Sequence, residues 1–464
     1  MIRLESLASC FQGLIPGTLH TCSRSGIPNV AVLSHVDYVD STHVALSFQF
    51  FNKSKANISE NPNALVHVND PDTGRGWGLR LRYVRTETSG PVFDRMFLRI
   101  EAIASYSGLK GIFKLLGADI YEVLAVKAIE DEPPRTAAEQ SAPSRATDPV
   151  FTMHALQDVA ERIHRADSLE RLLDSILEAI EQSFGFNHSM ILVPSSDEGV
   201  LVTIASRGYP DSGIGAEVRF GEGIAGVVAE ARKPIRISGL IRQMLYAYAV
   251  HRHASAQGLC PEDRRIALPG LANPDSQLGV PLLNRGELVG VLCIESELPY
   301  RFHEEDKVSI ELLGSYLAIA IHSMMLQERA EALATVEAPA AKTRAAERSA
   351  PARRVTAATR EVTYYGADEC ILIDGEYLIR SLPARIFWKL LHARQSEGRA
   401  EFTNRELRLD KSLNLPEWKD NLETRLLLLR RRLQQKCPDV RIVPRARGRF
   451  ALEVDREVVL VQKP

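Results

Sequence analysis

The sequence predicts a multidomain chain of three units: the first mostly β, the second α+β, and the third a mixed unit with a strongly basic end. Three observations lead there. The chain has 464 residues, which at roughly 150 residues per core makes about three domains. Two stretches break the apolar patterning: residues 131–149 (DEPPRTAAEQSAPSRATDP) and residues 328–360, where alanine, charge, Pro339 and Pro351 replace large apolar side chains. Such stretches behave as linkers. Between them the apolar period changes from that of strands to that of helices. The expected units are residues 1–130, 150–327 and 361–464.

With 45% hydrophobic and 25% charged residues, the chain buries cores instead of remaining disordered. Its net charge of -2 hides an asymmetry, because Arg425 to Arg449 holds nine Arg or Lys and one acid, Asp439. The N-terminus, MIRLESLASCFQGLIPG, lacks the basic start and unbroken apolar run of a secretion signal. No segment reaches about 18 consecutive apolar residues. A cytoplasmic protein without a membrane partner is expected. Six scattered cysteines with no CxxC pair indicate neither a disulfide framework nor a metal site.

In the first unit NVAVLSHV, HVALSFQF, ALVHVND and YEVLAVKAI are apolar or alternating runs bounded by turn residues, as strands are. The second of them leads into NKSKANI and then Asn61-Pro62. That turn offers a cation, hydroxyl donors and the free N–H groups of a helix start, which is what a phosphate needs. Residues 29–68 resemble the FMN-binding split barrel of the pyridoxamine 5'-phosphate oxidase family, and the resemblance covers about the first 130 residues. It implies a β split barrel that grips the phosphate of FMN through Lys53, Ser54, Lys55 and Asn57. Members of this fold also bind haem, a deazaflavin or nothing. Residues 90–124 do not show the oxidase's substrate-binding arginine and histidine pattern, so a cofactor or redox sensor is expected in place of a catalyst.

From Phe151 the spacing of apolar residues becomes helical, then strands alternate with GEGIAGVVAEARKPIRI (221–237), and a long helix runs from Glu304 past Leu326. The Gly221-x-Gly223 turn starts a helix, and Asn284-Arg285-Gly286 makes a tight hairpin. With SQLGVPLLNRGELVGVLCIES (276–296) and FHEEDKVSIELLGSYLAIAI (302–321), residues 152–327 resemble a GAF domain, the small-ligand sensor of bacterial regulators and phosphodiesterases. An insertion at residues 240–275 is placed to cover the pocket such a domain has. Within it Tyr246, Tyr248, His251 and His253, with Cys260 nearby, are candidates to contact a planar ligand or to ligate haem. The two histidines are two apart, which suits no familiar metal spacing. Cys260 is followed by Pro261, unlike the cysteine-histidine pair that attaches bilins in GAF domains.

The third unit reads as strand ECILIDGEYLIR, helix LPARIFWKLLHARQSEG, short helix TNRELR, helix DNLETRLLLLRRRLQQK and hairpin VRIVPRARGRFALEV. Thr403 with Glu406, and Asp420 with Glu423, are capping pairs at helix starts. Leu422, Leu426, Leu429 and Leu433 form one face, which leaves Arg425, Arg431, Arg432 and Lys436 off it and in solvent. This order resembles the winged helix at the C-terminus of response regulators, although no receiver domain precedes it. The resemblance implies DNA binding, with Arg425, Arg431, Arg432 and Lys436 on a recognition helix and Arg445, Arg447 and Arg449 on a wing. The sequence therefore points to a ligand- or redox-responsive transcription regulator. An apolar stripe in LLGSYLAIAIHSMMLQ (312–327) makes it a homodimer. The alternative is a flavin-dependent oxidoreductase with regulatory GAF and winged-helix modules.

Overall fold

The computed structural model describes residues 2–11, 16–48, 52–70, 75–106, 114–129, 149–195, 199–238, 270–271, 274–298, 301–334, 359–413, 422–446 and 448–463. It is a multidomain α+β protein.

The first unit is a curled antiparallel sheet of strands β1 (Gly17–Cys22), β2 (Pro28–Leu33), β3 (Val36–Tyr38), β4 (His43–Phe48), β5 (Asn63–Asn69), β6 (Gly76–Glu87) and β7 (Gly117–Ile129). Their order is β2-β1-β5-β6-β7-β4-β3. Alternate residues of each strand point inward, as the two-residue period requires, and Leu19, Leu33, Leu46, Val66, Leu79 and Tyr121 fill the concave side. Helix α1 (Asn52–Glu60) joins β4 to β5, and α2 (Pro91–Tyr106) joins β6 to β7.

The second unit begins with helices α3 (Pro149–Arg165) and α4 (Leu169–Phe184). They break where Ser168 accepts the Arg171 N–H as an N-cap. Strands β8 (His188–Pro194), β9 (Val200–Arg207), β10 (Glu217–Arg219), β11 (Ile235–Ser238), β12 (Ser276–Asn284) and β13 (Glu287–Ser296) follow. They form the antiparallel sheet β10-β9-β8-β13-β12-β11. Helix α5 (Gly223–Ala231) lies between β10 and β11, and α6 (Glu304–Ala334) closes the unit. The expected hairpin is present: Arg285 and Gly286 take φ of 50° and 82° between β12 and β13, the paired left-handed residues of a type I′ turn. The sheet is two-faced. Leu292 and Ile294 pack against α3, α4 and α6, while Val291 and Cys293 pack against α5. Ala102 of α2 enters that second cluster, and the Ser105 hydroxyl donates to the Gly221 carbonyl (2.9 Å) while accepting the Gly223 N–H (2.7 Å). The first unit thus closes the start of α5.

The third unit has strands β14 (Arg360–Tyr365), β15 (Cys370–Ile373) and β16 (Glu376–Arg380), then helix α7 (Ser381–Glu397). Strand β17 (Glu401–Thr403), helices α8 (Asn404–Leu409) and α9 (Leu422–Lys436), and strands β18 (Val440–Ala446), β19 (Arg449–Val454) and β20 (Val458–Lys463) complete it. The reading of ECILIDGEYLIR as one strand is corrected: Asp374 and Gly375, at φ of 51° and 81°, fold it into the hairpin β15–β16. Strand β20 adds to β14 in parallel, giving the sheet β16-β15-β14-β20 beside a smaller β17-β19-β18. The capping box between Thr403 and Glu406 is formed. All four leucines of the α9 stripe are buried.

Candidate functional site

The polar end of the α5-facing side of the second unit's sheet is its most chemically distinctive point. Gln277, Glu295 and His188 lie opposite one another on β12, β13 and β8. Glu295 is buried; its carboxylate accepts the Leu271 N–H (3.0 Å) and the Gln277 side-chain amide (2.7 Å). The Tyr209 ring packs on His188 at 5.5 Å. One buried atom here, Gln277 Oε1, has no hydrogen-bond partner among the described residues, and such an atom is costly unless a ligand meets it; the Tyr209 hydroxyl faces the Glu295 carboxylate. Burial pushes the Glu295 carboxyl up from the ordinary carboxylate range. Burial, then the Glu295 charge, raises the Tyr209 phenol and the Cys293 thiol. Cys293 is buried among the apolar side chains of this face. The group offers hydrogen-bonding chemistry at the edge of the buried apolar cluster of Met190, Ile224, Val228 and Ile237. The sequence reading missed Glu295, Gln277 and Tyr209. A glutamate and a glutamine at inward positions of apolar strands were the signal that would have found them.

The expected phosphate grip is placed differently from the expectation. NKSK is not a turn but the first turn of α1. Lys53 is exposed there. The buried Ser54 hydroxyl accepts the Asn29 amide (2.9 Å), and Asn57 donates to Thr21 (3.1 Å). Lys55 is bound to Asp119 and Thr86, each at 2.5 Å, with its ammonium over the Phe48 and Tyr83 rings. Three of the four residues thus tie α1 to the barrel, and a phosphate would have to displace the Asp119 carboxylate. These contacts do not fit a phosphate grip for FMN. Tyr246, Tyr248, His251, His253 and Cys260 lie outside the described residues, as does Arg447. Among the described residues no three His, Cys, Asp or Glu side chains cluster to hold a metal ion, and no helix is long and apolar enough to cross a membrane.

The arginines of α9 are not in open solvent, although Lys436 at its end is exposed, and the expectation that Arg425 and Arg432 stand clear of the leucine face is corrected: each is 5% exposed. Arg432 donates to the Leu378 carbonyl (2.9 Å) and the Tyr377 carbonyl (3.4 Å) of β16. Arg425 reaches the Pro194 carbonyl (3.2 Å). Arg431 bonds the Ile204 carbonyl (2.9 Å) and Asp174 (2.6 Å), and Arg430 bonds Glu170 (2.6 Å). Lys436 pairs with Glu376 at 3.1 Å. On the hairpin Arg445 pairs with Glu453 at 2.7 Å, and Arg445 and Arg449 are exposed.

No curated protein matches the chain. Among solved structures it is similar to the GAF domain of an Acinetobacter phosphoenolpyruvate-protein phosphotransferase (21% identity, TM-score 0.31, covering 37% of this chain and 93% of that one). It is also similar to free methionine-R-sulfoxide reductase from Neisseria meningitidis, solved in complex with its substrate (16% identity, TM-score 0.29, 38% of this chain and 91% of that one). An FMN-binding protein from Syntrophomonas wolfei subsp. wolfei is 17% identical, with a TM-score of 0.23, over 28% of this chain and 90% of that one. The second unit is the part of the chain to which a family attaches: residues 166–322 match the GAF domain.

Proposed function

We propose that the chain is a ligand-responsive transcription regulator. In this reading the GAF domain takes a small molecule at the Glu295, Gln277 and Tyr209 end of its sheet, and the third unit is a winged helix that binds DNA through α9 and the β18–β19 hairpin. The observation that supports DNA binding most is that hairpin, which presents Arg441, Arg445 and Arg449 at the surface. Arg441 pairs with Asp455 and Glu453 and reaches the Pro438 carbonyl, and Arg445 pairs with Glu453; the two carboxylate side chains are 53% and 34% exposed. Exposed pairs of this kind are worth little, so phosphates replace the carboxylates at small cost. The test is a salt titration of binding to the duplex upstream of the chain's own reading frame. Arg449→Ala is expected to weaken binding to all sequences alike and to lower the salt slope by about one ion. A slope identical to the parent's removes the hairpin from the interface.

The first unit serves the sensor through α2, whose Ala102 and Ser105 pack on α5. The oxidoreductase alternative has the internal commitments of Ser54, Lys55 and Asn57 against it; a purified protein that carries the absorbance of bound FMN would restore it. Two chains associate through α6. There Val308, Leu312, Tyr316, Ile319 and Leu326 recur at intervals of four, four, three and seven residues, with Val308 55% and Ile319 57% exposed. A face of that period pairs with a second helix. Sedimentation at micromolar concentration is expected to give twice the chain mass, and a monomer there contradicts the pairing.

A further inference from the structure

Helix α9 lies between two cores. Leu422, Leu426, Leu428, Leu429 and Leu433 join the core of the third unit, whereas Leu427 joins the core of the GAF domain. In return Val202 and Ile214 of the GAF domain enter the core of the third unit. Around this apolar contact runs a polar rim: Arg430 to Glu170, Arg431 to Asp174 and the Ile204 carbonyl, Arg425 to the Pro194 carbonyl, Gln435 to Ser212 (2.6 Å), and Arg380 to Glu217. The Arg431 side chain keeps only 11% of its surface in solvent.

A helix enters the major groove by an open face whose cations reach outward, and α9 has no such face in this arrangement. Glu170 and Asp174 sit one turn apart on α4 and hold two neighbouring arginines, giving them the anionic oxygens that phosphates give in a complex. The dock is also reversible in character, since the Glu170 and Asp174 side chains are 33% and 60% exposed and exposed pairs exchange readily.

We propose that the face of the GAF domain formed by Glu170, Asp174 and the carbonyls of Pro194 and Ile204 is an autoinhibitory dock for α9, mutually exclusive with DNA. The proposal rests on the reading of the third unit as a DNA binder. It gives the GAF domain a means of control: a ligand that shifts β8 and β9 changes the population of free α9, and can shift it only as far as it prefers one arrangement over the other.

The test is DNA affinity of the full chain, using the upstream duplex and an unrelated one, for the double variant Glu170→Gln with Asp174→Asn. The control is Glu161→Gln with Asp167→Asn, which removes the same charge from pairs with Arg165 and Arg171 that do not touch α9. The dock variant is expected to bind the upstream duplex about tenfold tighter than the parent, while the control binds as the parent does. A second pair of measurements keeps the result independent of folding: circular dichroism of each variant, and the single variant Asp174→Asn, expected to show part of the gain. If the parent already binds tightly and the folded dock variant gains nothing over the control, α9 is not held back and the dock is refuted while the DNA reading stands. If parent and variants all fail to bind either duplex at low salt, although hydrogen exchange shows α9 released in the dock variant, the DNA reading fails and the proposal with it.

Discussion

Replacing Arg432 by alanine is expected to destabilise the third unit by about 2–4 kcal/mol, the loss of charge-assisted hydrogen bonds that leaves buried carbonyls unmet. Strand β16 is an edge of its sheet, and an edge strand carries backbone carbonyls without a neighbouring strand to meet them. Arg432 supplies that neighbour: its guanidinium spans the Leu378 and Tyr377 carbonyls from α9. Burial pushes its pKa down from the ordinary arginine value, yet the charge remains, because nothing near neutrality removes a proton from a guanidinium. Lysine in its place rescues only in part, since an ammonium lacks the planar fork. Urea unfolding followed by tryptophan fluorescence measures the change. A shift below about 0.5 kcal/mol, the level of an ordinary surface substitution, would mean that Arg432 is not the tie between α9 and β16.

The second large effect is expected at Gly208, where alanine should cost about 2–4 kcal/mol through a left-handed backbone and a forced backbone shift together. Gly208 has φ of 85°, and a Cβ there would stand 1.8 Å from the Asn187 carbonyl oxygen. It turns the chain from β9 so that Tyr209 packs on His188 at the polar end of the sheet. The contrast is Gly286→Ala, where φ is 82° but nothing lies within 4 Å of a Cβ, so only the backbone cost of roughly 1 kcal/mol applies. Thermal unfolding of both variants separates clash from conformation. Equal losses for the two would refute the close approach of β9's end to Asn187.

Much of the architecture was legible because period carries it. The α4 and α6 helices, the strands β4, β5, β7 and β13, and the hairpin at Arg285-Gly286 all follow from apolar spacing and left-handed turn residues. The Asp374-Gly375 turn carried the same signal and was passed over because apolar residues flank it on both sides. Strand β6 escaped because GWGLRLRYVRTE alternates apolar residues with arginine and reads as polar. The site was less legible for a different reason. Whether an arginine faces water depends on what packs against its helix, and α9 is covered on one side by β16, whose Leu378 is 54 positions from Arg432, and on the other by GAF-domain residues such as Ile204, 227 positions from Arg431. A helical stripe describes one buried face and cannot announce a second. Likewise Ser54, Lys55 and Asn57 have the chemistry of an anion site, but Asn29, Asp119 and Thr21 satisfy them from strands that only folding brings close.

The central claim is that α9 is shared between the GAF domain and DNA, and a distance measured across the dock tests it most directly. A donor label at Arg171 on α4 and an acceptor at Gln434 on α9, both exposed, are placed in a chain whose Cys22 and Cys260 are replaced by serine. The free protein is expected to show one short distance, and saturation with the upstream duplex should replace it with a longer one as α9 leaves Glu170 and Asp174. Saturation with that duplex at an unchanged short distance would contradict the account.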